Sequence, residues 1–311
     1  MIRVLKNITL LSFQIQLFVA LLALNINAQN TNKKFINNSP SNPCGLNDKL
    51  HDSLKLYDQN YKNSAQYFRN ILTQNMQNNT KSNTKLQIPC VVHVFHKNDG
   101  NTNNHGEISR DEVRNGIRIL NENLKNYNID SYGVDANIEV VLAARDENGN
   151  CTDGINYIDM SNNADYYDHG LSSDGVDKAD LYAHRWDVRY YYNIYVVTEI
   201  NNGRTNGSAY YPETFSFIKD GTYICYYRFS TTTLVHEIGH ALNLMHTFKG
   251  DGPDPQNWSS STAYCPDNMD CTTDGDECCD TPPHIRSWDC PCGTNSCDNI
   301  SKKSLYTKNI M

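Results

Sequence analysis

The run His236-Glu237-Ile238-Gly239-His240-Ala241-Leu242-Asn243-Leu244-Met245-His246 constrains the fold more than any other stretch. Residues four apart on a helix share one face, so His236 and His240 can aim their imidazoles at one point. Glu237 places a carboxylate directly beside them. A straight helix cannot bring His246 back to that point, so the chain must turn sharply after Leu242. Asn243 is the pivot. The turn calls for left-handed backbone, which Gly adopts freely and Asn adopts next best. Three imidazoles leave one position of a tetrahedral zinc open to water, the pattern of a catalytic rather than a structural site. The expectation is zinc on His236, His240 and His246, with Glu237 as general base.

The start of the chain predicts its compartment. Arg3 and Lys6 form a basic region, Ile8 to Leu24 is mostly apolar, and Ala28 ends a cleavage-like segment. This pattern is a secretory signal peptide over residues 1–28. No later segment is apolar enough for a membrane anchor. Export, extracellular or periplasmic, favours disulfides. That matters because seven of the 11 cysteines crowd after position 264. The net charge of -8 and the lack of a basic block exclude nucleic acid as a partner.

Between these ends, Leu50, Leu54, Tyr57, Tyr61, Ala65, Phe68, Leu72 and Met76 recur at helical spacing. Gln77 to Lys85 has a linker's composition. From Leu86 the pattern changes. Ile88 to Phe95 is strand-like, and Ser109 with Glu112 forms a capping box. Val113, Ile117, Leu120 and Leu124 follow as one helical face. Ile138 to Ala143, Tyr191 to Thr198, Gly207 to Tyr211 and Thr222 to Phe229 are further candidate strands. Residues 144–185 are expected to be a long loop.

The histidine run resembles the long zinc signature of metzincin proteases. The flanks resemble the pappalysin/cytophagalysin family, on Ile88-Pro89 to His93, Trp186-Asp187 to Val197, Ala209-Tyr210-Tyr211-Pro212, His246-Thr247-Phe248 and Cys279-Asp280-Thr281-Pro282-Pro283. These stretches span most of residues 86–311. The family commonly has Gly at the position of Asn243. The resemblance implies an α+β, metzincin-like catalytic domain. It would have a twisted, mostly parallel sheet of about five strands, a backing helix, an active-site helix and an irregular disulfide-rich C-terminal subdomain. It further implies a secreted endopeptidase that acts on protein or peptide substrates laid along an edge strand near Gly207–Tyr211.

Three finer expectations follow from the resemblance. Residues 29–85 would be a pro-segment, with Cys44 in its Cys44-Gly45 context as a zinc-binding latency switch. The alternative for Cys44 is an ordinary disulfide partner. Asp274, Asp276, Glu277 and Asp280 gather four carboxylates, and Asp276, Asp280 and Thr281 are calcium candidates. A solvated acidic loop pinned by disulfides, or a cysteine-held zinc, are the alternatives there. Asn309-Ile310-Met311 matches the family's Met-turn, so the 86–311 domain is expected to be truncated at that turn. Two functional alternatives stay open at this point: a metal-stabilised binding or adhesion module, and an inactive protease fragment.

Overall fold

The computed structural model describes residues 85–98, 106–125, 135–172, 175–212, 221–252, 263–279, 281–286 and 297. The 1–28 leader, nearly all of the 29–85 segment with Cys44, and the residues Asp280 and Met311 lie outside the described residues. All described residues belong to the second of two units, Pro40–Met311.

The organising element is strand β1, Leu86–His96. Residues 90–95 are buried on both faces, as expected of a central strand in a mostly parallel sheet. Strand β2, Ile138–Leu142, and strand β3, Ile155–Asp159, lie end to end along one side of β1, both parallel to it. Between them the chain leaves the sheet. It is held by an Arg145–Cys151 bridge and by Asp146, whose carboxylate accepts the Asn148 and Asn150 N–H groups. It returns at Gly154, which has φ 71° and where a Cβ would sit 2.7 Å from the Ala143 nitrogen, so there is no room for a side chain.

On the other side of β1 come β4, Tyr192–Val197, then β6, Thr222–Cys225, both parallel. Strand β5, Gly207–Ala209, closes the order as an antiparallel partner of β6. The six strands thus fill five positions across the sheet, which matches the expected width. The sequence reading needs two corrections. Residues 144–185 are not one loop: they contain β3 and two short helices, α2 at Ala164–His169 and α3 at Lys178–Leu181. The stretch Thr222 to Phe229 is a strand only to Cys225, after which Tyr226–Arg228 form a 3-10 turn.

Two helices cover one face of the sheet. Helix α1, Arg110–Leu124, starts at the expected capping box: Ser109 Oγ accepts the Glu112 N–H, and Glu112 Oε2 accepts the Ser109 N–H at 2.7 Å. Its Val113, Ile117 and Leu120 pack with Val92 and Val94 of β1, Ile194 and Val196 of β4, and Ile224 of β6. Helix α4, Thr232–Ala241, buries Leu234, Val235 and Ile238 in the same cluster. The opposite face carries Phe95, Tyr195, Val197 and Tyr223 under Tyr166, Leu171 and Leu181. Alternation along β4 and β6 decides which residue faces which layer.

His93 shows how the aromatic layer is tied together. It is fully buried and donates from Nε2 to Asn193 Oδ1 at 2.8 Å. That oxygen also accepts the Trp186 N–H, and Asn193 Nδ2 donates to the Trp186 carbonyl. This gives His93 a packing role and ties Trp186 to Asn193.

Residues after Gly252 add no described strand or helix. They are cross-linked by Cys265–Cys297 and Cys271–Cys279, consistent with the expected irregular, disulfide-rich subdomain. Among the described residues no helix is long and apolar enough to cross a membrane.

Candidate metal centre

Helix α4 begins at Thr231, whose hydroxyl accepts the Thr233 N–H. It ends in a Schellman arrangement centred on Asn243. The Leu244 N–H bonds to the Gly239 carbonyl at 2.9 Å, and the Asn243 N–H to the His240 carbonyl at 2.9 Å. Asn243 has φ 73°, the left-handed conformation the sequence called for.

This stop does more than end the helix. It turns the Leu244 carbonyl onto His240, whose Nδ1 donates to it at 2.7 Å. With its proton on Nδ1, His240 presents the lone pair of Nε2. That atom lies 3.0 Å from His236 Nε2. After the turn, His246 returns to the pair, with ring centroids 5.3 Å from His236 and 4.6 Å from His240.

One nitrogen from each of the three rings lies within 4.8 Å of the others. Two ligands of a tetrahedral zinc, each about 2.0–2.1 Å from the ion, would be about 3.4 Å apart. The trio brackets that spacing, and its tautomer-fixing hydrogen bond is the kind that accompanies metal-bound histidines. The donor set therefore fits a metal ion. Among the described residues this is the only such group of histidine, cysteine and acidic side chains.

Glu237 is fully buried on α4. Its side chain lies against Gly207 of β5, so the edge strand and the carboxylate meet directly. Tyr211, just past β5, is buried and stands edge-on to His240 at 5.7 Å. The sequence reading missed Gly207 as a site residue. The available signal was a glycine inside a short strand, which marks close backbone approach.

Of the other expected residues, Asp276 and Thr281 are among the described ones. Asp276 is buried, and its carboxylate accepts the Cys278 N–H at 3.1 Å. The Thr281 N–H donates to the Cys278 carbonyl. Cys44, Asp280 and Met311 lie outside the described residues.

Fold and imidazole trio together define a metzincin-type metallopeptidase. The peptidase M43 family, described as pregnancy-associated plasma protein-A, matches residues 174–311, which include the whole trio. A Tannerella forsythia promirolysin mutant shares the fold, with 24% identity, TM-score 0.59, and coverage of 84% of this chain and 83% of its own. Tannerella forsythia mature mirolysin in complex with a cleaved peptide is 26% identical, with TM-score 0.53 over 74% of this chain and 84% of that one. Mirolysin in complex with a small compound is 27% identical, with TM-score 0.52 over 72% and 82%. No curated protein matches the chain. The family match over residues 174–311 and the likeness to the mirolysin structures support metalloendopeptidase activity.

Proposed function

We propose that this is an exported zinc endopeptidase, made as a zymogen, in which Glu237 is the general base. The observation that carries the reading is the convergence of His236, His240 and His246, with Nδ1 of His240 pinned by Leu244 and Glu237 buried alongside. Zinc, when bound, would lower the pKa of a water towards about 7 and polarise the scissile carbonyl. The Glu237 carboxylate would take the proton of the attacking water and pass it to the leaving amine. Strand β5 is the last strand in the sheet order. An extended peptide paired along it would bring its scissile bond past Glu237, because Gly207 touches that side chain. The cleaved peptide in the mirolysin complex supports a peptide occupant.

Export is supported by the 1–28 leader and by the two described disulfides, which persist in oxidising compartments. Latency through Cys44 is supported by its Cys-Gly context, by the reach of a thiolate for zinc, and by the existence of a pro-form of mirolysin. A structural calcium ion around Asp276, Asp280 and Thr281 is supported by the local density of oxygen ligands.

The deciding experiment is Glu237→Gln. The variant should bind one zinc per chain and lose peptide hydrolysis by about 10²–10⁴-fold. Full activity in a zinc-loaded Glu237→Gln protein would remove Glu237 from the role of base. A wild-type chain that binds no zinc would remove the reading altogether.

A further inference from the structure

His236 and His240 are oriented by a helix, and His240 also by the Leu244 carbonyl. His246 follows on irregular chain, so something else must set its ring. Its imidazole stacks on Phe248, with centroids 4.9 Å apart and planes 10° from parallel. The Arg286 guanidinium lies over the same Phe248 ring, 4.9 Å from its centroid. Arg286 is in turn locked to Asp251. Its Nε reaches Asp251 Oδ2 at 2.8 Å, its second guanidinium nitrogen reaches Oδ1 at 2.5 Å, and its backbone N–H reaches Oδ2 at 2.8 Å.

The pair is well out of solvent. The Asp251 side chain is 0% exposed and that of Arg286 is 9% exposed. A forked guanidinium–carboxylate pair of this kind fixes direction as well as distance. The loop it closes is short: the Lys249 N–H bonds to the His246 carbonyl, and the Asp251 N–H to the Phe248 carbonyl. A second tie runs parallel. His284 donates from Nδ1 to the Pro282 carbonyl, so its Nε2 accepts the Thr247 hydroxyl at 3.1 Å. The segment 281–286 therefore grips the residues immediately after His246 at two points.

From this we infer that Arg286, held by Asp251 and acting through Phe248, is a positioning residue for His246. The C-terminal segment thereby completes the metal site without contributing a ligand. A locked ring enters coordination without losing rotamer freedom, and a locked ring also leaves less readily. Supporting groups around metal ligands typically change metal affinity by about 10–100-fold. The inference rests on the trio binding metal, so the test separates the two claims.

The measurement is the rate at which the zinc-loaded full chain releases its metal to a chelating dye. It is paired with the visible spectrum of the cobalt-substituted protein and with the thermal midpoint. Phe248→Leu and Arg286→Met should release metal about tenfold or more faster and shift the cobalt bands. Phe248→Tyr, which keeps the stacked ring, should restore the wild-type rate and spectrum. If Arg286→Met does not fold, the Phe248 pair decides alone. Wild-type release and an unchanged cobalt spectrum in Phe248→Leu would overturn the positioning role while leaving the metal site standing. A wild-type chain that takes up no metal would overturn both.

Discussion

Gly207 lies directly against Glu237. A Cβ at Gly207 would sit 2.7 Å from Glu237 Cγ and 2.8 Å from Oε1, closer than any real contact allows. The two residues come from strand β5 and helix α4, which pack against each other. Gly207→Ala should therefore displace the carboxylate. A misplacement of about 1 Å can cost on the order of 10²-fold in rate. The expected result is a fall in kcat of that size with zinc stoichiometry unchanged. Unaltered kcat in a folded Gly207→Ala protein would show that the strand tolerates the methyl and does not set the position of Glu237.

Asn243 carries the turn that brings His246 to the other two rings, at φ 73°. A residue with an ordinary Cβ pays about 1–2 kcal/mol for left-handed backbone, and Gly pays almost nothing. Asn243→Gly should keep or raise unfolding stability in chemical denaturation. Asn243→Ala should lower it by about 1 kcal/mol and weaken zinc binding alongside. Equal stability of the two variants would mean that the turn is not a local constraint.

His93 gives a pH signature. Burial pushes its imidazole down to about 4, from an ordinary value of 6.5. The folded state thus resists a proton that the unfolded state accepts between those values. Stability from a neutral buried histidine is full above about 6.5 and is lost as pH falls towards 4. His93→Gln should be less stable than wild type at pH 7, and the gap should narrow as pH drops through that window. A gap that stays constant from pH 7 to 4.5 in urea titrations would count against it.

The sheet's own cysteines should differ from Cys151 in reactivity. Burial pushes the Cys90 thiol up to about 12 and the Cys225 thiol up to about 11. Cys151 is exposed. Iodoacetamide at pH 8 should label Cys151 in the native protein, and peptide mapping should find Cys90 and Cys225 modified only after denaturation. Native labelling of Cys90 would contradict its place in the sheet centre.

The convergence of the three histidines was legible because its geometry is local. The four-residue spacing of His236 and His240 needs only a helix, and Asn243 needs only its own backbone preference. The capping box at Ser109 and the apolar face of α1 were readable for the same reason. The 144–185 region was misread because β3 has five residues and α2 only six, too short for a periodic signal to rise above the surrounding Asp, Gly and Asn. The end of β6 was overrun because Tyr226 and Tyr227 suit a strand as well as a turn, and propensity alone cannot choose.

Sequence by itself determined which three imidazoles can meet, since spacing along one helix and one turn decides it. Tertiary structure alone decided what holds them there. Gly207 against Glu237, Tyr211 against His240, and Arg286 over the Phe248 ring join residues from separate strands, a helix and a distant loop. Such pairs leave no periodic trace, because they arise from how the sheet orders its strands and where the cross-linked C-terminal segment folds back. The three histidines lie in one short run, and the side chains packed against that run are distributed over the fold.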